Sequence, residues 1–211
     1  ELDLTENTQP AIFLASYSIF KMIEKESNIN LESAKYFAGH SLGEYSALAA
    51  AGSLDFKSAI KLLNQRGKAM QAAVPKGAGG MIAVLGVEIS EIKNILEKNK
   101  NNYKCYIAND NSNGQIVLSG LNLDIDKFIE TLKEQKIKNI KLPVSAPFHC
   151  KLMDKATSAM KDKINNTNFE KPKNIIISNV TGSETQEIDE IKDLLIKQIE
   201  SPVRWRESVI Y

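Results

Sequence analysis

The stretch Gly39-His40-Ser41-Leu42-Gly43-Glu44 follows a short apolar run, Tyr36-Phe37-Ala38, and precedes a run of helix-forming residues over 45–51. This order predicts a strand, a tight turn and a helix. Gly-x-Ser-x-Gly in that context is typical of a nucleophile elbow, in which a sharp turn lifts the serine hydroxyl clear of a sheet. We expect both glycines to be needed because a Cβ atom at either position would clash within the turn.

Ser41 is therefore the candidate nucleophile. The helix after the turn points its positive end and its unpaired N–H groups at the serine, where a negative oxygen can be stabilised. We expect the backbone N–H of Leu42 to be an oxyanion donor. The alternative is a plain turn, since the pentapeptide also arises by chance in loops, but the strand and helix on either side favour the nucleophile.

Composition indicates an ordinary globular chain of 211 residues, with 43% hydrophobic residues, 25% charged residues and a net charge of +1. A charge this small gives no reason to expect a nucleic-acid or membrane partner, and the apolar runs are too short to span a bilayer. Two cysteines favour a reducing compartment, so we expect a cytoplasmic location or an organellar stroma or matrix. No metal-ligand spacing appears, and we expect no metal.

Strands and helices alternate in the outer parts of the chain, which predicts a parallel α/β layer. We assign 1–77 and 144–211 to this large domain. A proline in the first turn opens the first predicted helix, whose inward stripe is Ile12, Ala15, Ile19, Met22 and Ile23. The predicted helices are 10–26, 55–74, 150–165 and 187–199, and the predicted strands are 36–38 and 174–179.

Residues 78–143 read differently, as strand, helix, strand, strand, helix, strand, which is the order of a ferredoxin-like unit. We predict a small subdomain of this type inserted into the large domain. Its first helix is expected over 90–99 with Ser90 as the cap, and a polar turn is expected over 109–114. An irregular loop with two prolines, 143–149, returns the chain to the large domain.

Two side chains could complete a site around Ser41. His149 is the expected general base, because the chain has two histidines and His40 is adjacent to the serine and badly placed to face its oxygen. The alternative is a loop histidine satisfied by backbone groups. Arg66 falls within the apolar stripe of the 55–74 helix. From periodicity alone it is equally a stem lying along apolar surface or a bidentate clamp for a carboxylate.

Several motifs together resemble the malonyl-CoA:acyl carrier protein transacylases. In chain order they are Gln9-Pro10-Ala11, Gly39 to Ala47, Gln65-Arg66-Gly67-Lys68-Ala69-Met70, Pro147-Phe148-His149 and Pro202-Val203-Arg204-Trp205. The resemblance implies an α/β-hydrolase-like large domain with a ferredoxin-like small one. It also implies ping-pong transfer of malonyl from coenzyme A to a serine and then to the phosphopantetheine thiol of acyl carrier protein, in fatty acid biosynthesis.

By position, the resemblance gives each candidate a role. Ser41 resembles the nucleophile, His149 the base of a Ser–His dyad oriented by backbone carbonyls, and Arg66 the group that grips the free carboxylate of malonate. His40 resembles a neighbour that contacts the acyl group or a bound intermediate. Met81 and Asn109 resemble residues of the pocket wall that the small domain provides. Phe148 resembles the residue that malonyl-selective members of the family have immediately before the histidine.

The implied partners are acyl carrier protein and a coenzyme A thioester, with no permanent cofactor, no nucleic acid, no membrane and a monomeric state. Six lysines at 133, 136, 138, 141, 151 and 155 could meet an acidic carrier protein, although a solvated face is the more common explanation for such a set. Two segments of the family pattern are not found. They are a glutamine-bearing loop that gives a second oxyanion donor and a late Gly-rich stretch, so we expect an internal portion of such an enzyme.

Two other functions remain open from the residues. A serine esterase or thioesterase could use the same elbow, although Arg66 and the inserted subdomain argue against it. The chain could also be a fragment that binds carrier protein without turnover.

Overall fold

A computed structural model describes residues 2, 4–144 and 146–211, without the side chain of Glu32. Ser145, in the predicted irregular loop, and residues 1 and 3 lie outside this description. The described chain is a mixed α/β structure. Its α-helices are α1 Thr5–Glu26, α2 Gly43–Ala50, α3 Phe56–Ala72, α4 Ile89–Lys98, α5 Asn122–Glu134, α6 Asp154–Asn165, α7 Ile188–Gln198 and α8 Trp205–Ile210. Its strands are β1 Tyr36–Ala38, β2 Gly79–Leu85, β3 Cys105–Ser112, β4 Gln115–Leu121, β5 Lys138–Lys141, β6 Ile175–Ile177 and β7 Glu184–Thr185.

The strand that leads into the elbow belongs to a small three-stranded sheet of order β1-β6-β7. β1 and β6 are parallel, with Tyr36 opposite Ile175 and Ala38 opposite Ile177. The short antiparallel strand β7 carries no sequence signal of its own and was not predicted. Because β1 and β6 run in the same direction, the turns after both strands lie at one edge of the sheet, and this edge carries the site.

The second sheet is antiparallel, with four strands in the order β3-β4-β2-β5. Helices α4 and α5 follow β2 and β4, so the order of elements over 79–141 is the predicted one. Its own core contains buried Ile82, Leu118, Ile125 and Phe128. The predicted polar turn over 109–114 is wrong in extent. β3 continues to Ser112 with register shifts on the way, so that Asn109 and Asp110 are buried strand residues.

Helix α1 begins earlier than predicted, and Pro10 lies inside it rather than in its first turn. Proline lacks the N–H that would bond to the carbonyl four residues earlier. That carbonyl, of Glu6, instead accepts a hydrogen bond from Nδ2 of Asn64 on α3, at 3.0 Å. The two helices cross so closely that a Cβ atom at Gly67 would lie 2.5 Å from the Cα of Glu6. Contact with α3 thus compensates for the proline.

The face that α1 buries also differs from the predicted stripe. The helix buries Gln9 and Phe13, whereas Ile12, Ile19 and Met22 are about half exposed or more. Aromatic packing against α3 accompanies this orientation, because the ring centre of Phe13 lies 5.5 Å from that of Phe56. The cap predicted for α4 is likewise wrong, since the N-cap residue is Glu88 and makes no side-chain cap bond.

Three apolar clusters form the core. The largest lies among α1, α2, α3, α6 and α7 and includes Tyr45, Leu48 and Leu63. A second fills the four-stranded sheet and its helices. A small third cluster on β2, β3 and β4 packs against Phe148, which also touches the first. Among the described residues, no helix is long and apolar enough to cross a membrane.

Candidate active site

The turn after β1 holds Ser41 in a left-handed backbone conformation, with φ of 55°. For a residue with a side chain this conformation costs about 1–3 kcal/mol and persists only where the surroundings enforce it. A Cβ atom at Gly39 would lie 1.9 Å from the carbonyl oxygen of Gly43, so glycine is required there. The expected clash at Gly43 is wrong, because a Cβ atom at that position would meet open space.

Asn179, in the turn after β6, fixes the elbow from the neighbouring strand. The Ser41 N–H donates to Oδ1 of Asn179 at 2.6 Å, and Nδ2 of Asn179 donates to the carbonyl of Gly39 at 2.9 Å. One buried amide therefore satisfies a donor and an acceptor of the strained turn. Parallel pairing of β1 with β6 brings these two turns together.

His149 lies within hydrogen-bond reach of the serine, although 108 residues separate the two in sequence. Oγ of Ser41 is 2.7 Å from Nε2 of His149. Nδ1 of His149 is 2.9 Å from the carbonyl oxygen of Gln198, at the end of α7. A carbonyl only accepts, so Nδ1 carries the proton and Nε2 is free to accept one from the serine.

The environment of His149 keeps its imidazole neutral. Burial, and then the positive charge of Arg66, lower the pKa of His149 to about 3. The ring is therefore unprotonated at neutral pH, which is the state a general base requires. His149 itself has a left-handed backbone, with φ of 57°, so the loop that carries it is held in an unusual conformation.

Arg66 occupies the core position that the periodicity of α3 assigns to it, and it is only 1% exposed. Nη1 donates to Oε1 of Gln9 at 2.7 Å, and Nη2 donates to Oε1 of Gln198 at 2.8 Å. Nη2 also lies 3.1 Å from Oγ of Ser41. Within the described ranges no carboxylate forms an ion pair with this guanidinium. A buried cation with neutral partners can accept an anionic ligand.

Gln198 and Glu44 link these groups. Nε2 of Gln198 donates to the carbonyl of Ser41 at 3.0 Å and to Oε2 of Glu44 at 2.7 Å. The same Glu44 oxygen accepts the N–H of Asn179 at 3.1 Å. Burial raises the pKa of Glu44 to about 7, although these hydrogen bonds oppose the shift. From the sequence, Glu44 is first a helix-start residue; in the structure it is a buried acceptor beneath the elbow.

His40 makes its hydrogen bond and its ring contact outside this network. Its Nε2 lies 2.8 Å from Oδ1 of Asn111 on β3, and its ring centre is 5.5 Å from that of Trp205 on α8. Burial lowers the pKa of His40, with the Asn111 contact opposing the shift. The residue beside the nucleophile thus contacts both the four-stranded sheet and the last helix.

Leu42 supplies a free donor at the start of α2. No acceptor for its N–H occurs in the part of the chain that the structure describes, whereas the next two N–H groups bond to the carbonyls of His40 and Ser41. The Leu42 N–H is therefore available to a ligand oxygen near the serine.

The three predicted wall residues lie around the third apolar cluster. Met81 is 5% exposed within it, and Asn109 is buried on β3. Phe148 precedes the histidine, and its carbonyl accepts a hydrogen bond from Oγ of Ser119 at 2.8 Å. Its side chain also lines a cavity of about 620 Å³. The side chain from this wall that reaches His40 belongs to Asn111, two residues beyond Asn109.

Some site residues were given no role from the sequence. Gln198 and Gln9 carry a usable signal, because each is a polar residue on the buried face of an amphipathic helix, as Arg66 is. Asn179 and Asn111 lie at strand ends without such a pattern. No group of three or more potential metal ligands occurs within residues 2, 4–144 and 146–211.

Comparison with known proteins shows the family to which the chain belongs. The family model of the acyl transferase domain matches residues 1–210. The malonyl CoA-acyl carrier protein transacylases of Haemophilus influenzae and Bacillus subtilis are each 40% identical to this chain. Each match covers 99% of this chain, and it covers 67% of the Haemophilus protein and 65% of the Bacillus protein. The Escherichia coli K12 protein of that name is 35% identical over all of this chain and 68% of its own length.

Solved structures give the same result. The transacylase of that name from Coxiella burnetii superposes with a TM-score of 0.94 at 39% identity, covering 100% of this chain and 66% of the other. A malonyl-transacylase in complex with its type II PKS acyl-carrier protein superposes with a TM-score of 0.94 at 35% identity, covering 100% of this chain and 67% of the other.

Fold and site together define an acyl transferase domain. The chain belongs to this family, within the malonyl CoA-acyl carrier protein transacylases. It spans about two thirds of the length of the relatives it matches.

Proposed function

We propose that this chain carries the catalytic centre of a malonyl transferase, which moves malonyl from coenzyme A to the phosphopantetheine thiol of acyl carrier protein. The observation that carries the proposal is the position of Ser41 Oγ, 2.7 Å from Nε2 of His149 and 3.1 Å from Nη2 of Arg66. A nucleophile, its base and a buried cation meet at one atom. The malonyl CoA-acyl carrier protein transacylases to which the chain is similar support the same reaction.

In the first half-reaction, Nε2 of His149 accepts the proton of Ser41 as Oγ attacks the thioester carbonyl of malonyl-CoA. The carbonyl electrons move to its oxygen, which the Leu42 N–H stabilises. Collapse of this tetrahedral intermediate breaks the C–S bond. The departing coenzyme A sulfur takes the proton from His149, and a malonyl ester remains on Ser41.

The second half-reaction reverses these roles. The thiol of phosphopantetheine gives its proton to Nε2 of His149 and attacks the ester carbonyl. Collapse breaks the bond to Oγ of Ser41, which recovers the proton from His149. One set of groups therefore serves both half-reactions, as ping-pong transfer through a covalent intermediate requires.

Arg66 gives the preference for an acyl group with a free carboxylate. Its fork geometry suits a bidentate carboxylate, and Gln9 and Gln198 hold the fork in place. The guanidinium charge also lowers the pKa of His149. A bound malonyl carboxylate offsets that charge and so raises the basicity of His149. Binding of malonyl-CoA therefore makes His149 a stronger base.

The same proposal covers the finer description of the fold. We assign 1–77 and 144–211 to an α/β-hydrolase-like large domain and 78–143 to a ferredoxin-like subdomain. The parallel pair β1–β6 with an elbow after β1 supports the first assignment. The antiparallel order β3-β4-β2-β5, with one helix after β2 and one after β4, supports the second.

The partners follow from the reaction. We propose that acyl carrier protein and a coenzyme A thioester are bound by a monomer, without a permanent cofactor and in a cytoplasmic or stromal compartment. The malonyl-transacylase solved with its acyl-carrier protein supports the first partner. His40, Met81, Asn109 and Phe148 remain the proposed acyl-contacting residues.

The assay that tests the proposal separates transfer from hydrolysis. Purified protein is incubated with malonyl-CoA and holo acyl carrier protein, and malonylated carrier and free malonate are both measured. We expect malonylated carrier in excess. Free malonate as the main product would instead support an esterase or thioesterase, and neither product would support a binding fragment. Acetyl-CoA, which lacks the free carboxylate, is the control substrate for the malonyl preference.

A further inference from the structure

The segment between α7 and α8 is bonded to the four-stranded sheet. The N–H of Val203 donates to the carbonyl of Ala108 at 2.8 Å, and the N–H of Asp110 donates to the carbonyl of Val203 at 2.9 Å. Asn109 and Val203 thus form a parallel bridge. Through this bridge a piece of chain from outside the four-stranded sheet pairs with the edge strand β3.

An ion pair accompanies the bridge. Arg206 donates from Nε to both carboxylate oxygens of Asp110 at 3.0 Å, and from Nη2 to Oδ2 at 2.8 Å. The Asp110 side chain is 3% exposed and that of Arg206 is 29% exposed. A forked arginine contact to a buried carboxylate holds geometry far better than an exposed ion pair does. This pair therefore constrains how β3 and α8 approach each other.

Both members of the pair are adjacent in sequence to residues that contact His40. Asp110 precedes Asn111, whose amide oxygen lies 2.8 Å from Nε2 of His40. Arg206 follows Trp205, whose ring centre lies 5.5 Å from that of His40. No other side chain in the described ranges makes a hydrogen bond or ring contact to this imidazole. The surroundings of His40 therefore depend on two elements that are joined by the backbone bridge and by this ion pair.

We propose that Asp110 and Arg206 are a positioning pair, which holds Asn111 and Trp205 against His40 and so fixes the imidazole beside the nucleophile. This proposal rests on the proposed function, because the position of His40 affects activity only if the chain transfers acyl groups. Neither Asp110 nor Arg206 contacts Ser41, His149 or Arg66 through a hydrogen bond. Their effect passes through the two neighbours of His40.

Loss of Arg206 alone and loss of both charges should have different effects. Asp110 is the more buried partner, so removing Arg206 leaves a carboxylate buried and unpaired, whereas removing both charges does not. We therefore expect Arg206→Gln to be more damaging than the double variant Asp110→Asn/Arg206→Gln. Arg206→Lys keeps the charge without the fork and should fall between Arg206→Gln and the unaltered protein.

The kinetic test measures kcat and KM for malonyl transfer in these variants. We expect kcat to fall about tenfold in Arg206→Gln, in the range found for coupled neighbouring residues, with little change in the KM for carrier protein. The matched control is Glu130→Gln, which removes an exposed ion pair with Lys133 on α5. Unchanged kcat in Arg206→Gln, or a double variant that is more damaging than Arg206→Gln, would overturn the proposal.

A spectroscopic measurement separates positioning from general loss of stability. The chain has two histidines, so its imidazole resonances form two resolvable titrations. Burial lowers the pKa of His40 and the Asn111 contact opposes that shift, so release of Asn111 and Trp205 should change the His40 titration while the His149 resonance is unchanged. A His40 titration that is identical in Arg206→Gln and the unaltered protein would contradict the proposal, whatever the activity.

This second measurement also distinguishes the two proposals. If the unaltered protein transfers no malonyl group, the proposed function fails. The His40 titration still shows whether the pair controls the surroundings of that imidazole. A folded spectrum with a shifted His40 pKa would then support the positioning pair alone.

Discussion

Nη2 of Arg66 lies 3.1 Å from Oγ of Ser41, although Arg66 is on the buried face of α3 and the serine is on the elbow after β1. The guanidinium is nearly inaccessible and has only neutral partners in the described structure. Its charge can stabilise either a serine oxygen or a carboxylate brought beside that oxygen. This relationship makes the arginine a candidate for selecting the acyl group.

Replacing Arg66 should change acyl preference. We expect Arg66→Ala to lower kcat/KM for malonyl-CoA by about 10–100-fold, since a charge-assisted hydrogen bond contributes about 1.5–3 kcal/mol. Acetyl-CoA should be affected less, because it has no free carboxylate. Arg66→Lys should recover little, because an ammonium group cannot form the fork.

The matched control for Arg66 is Lys61→Ala, which removes an exposed cation from the same helix. Its malonyl and acetyl rates should equal those of the unaltered protein. An equal loss for both acyl groups in Arg66→Ala would remove the carboxylate role.

His149→Ala should stop acylation of Ser41. The imidazole is the group within 2.7 Å of Oγ that can accept its proton, and general-base catalysis contributes about 10²–10⁴-fold. Single-turnover labelling with malonyl-CoA, followed by rapid quenching, measures this rate. Undiminished labelling of Ser41 in the variant would exclude His149 as the base.

The two glycines of the elbow should respond differently to alanine. At Gly39 the new methyl group would meet the Gly43 carbonyl oxygen at 1.9 Å, which requires the turn to open, and overpacking of this kind costs about 1–3 kcal/mol. Gly43→Ala meets open space and should leave both stability and activity near their original values. Thermal unfolding and transfer rate are measured for both. Equal destabilisation would show that the described turn is wrong.

Glu44 should make stability depend on pH. Its pKa is raised by burial from 4.5 to about 7, so the folded state binds its proton more tightly than the unfolded state does. The resulting stabilisation is complete below pH 4.5 and is lost as the pH rises through 7. It corresponds to a difference on the order of 3 kcal/mol at 1.36 kcal/mol for each pKa unit.

Glu44→Gln removes this titration, so its stability relative to the unaltered protein should increase between pH 5 and pH 8. Urea unfolding at several pH values measures the difference, with Glu91→Gln on the surface of α4 as the control. A stability difference that does not vary with pH would contradict a raised pKa at Glu44.

The elbow, and the position of His149 beside its serine, could be predicted because the first depends on a local turn and the second on the small number of histidines in the chain. Gly39 is needed by the turn itself, and a chain with two histidines offers few candidates for a base. Arg66 stood out because a charge interrupts an apolar helix face. Gln198 occupies the equivalent position on α7, after Ile191, Leu194 and Leu195, and the same argument would have found it.

Other features arise only when distant segments meet. Asn179 holds the elbow because β6 pairs with β1, and no pattern around residue 179 indicates this. The buried face of α1 was predicted wrongly because aliphatic spacing was preferred to the aromatic side chains that pack there. Asp110 was interpreted as a turn residue because polar composition concealed a strand whose carboxylate is paired with Arg206.

The central claim, that Ser41 carries the acyl group, is tested most directly by mass spectrometry of the protein after brief exposure to malonyl-CoA without acceptor. The account predicts one malonyl group per chain, located on the peptide that contains Ser41, absent in Ser41→Ala and removed by holo acyl carrier protein. A chain that acquires no malonyl group, or that carries it on another residue, would contradict the account.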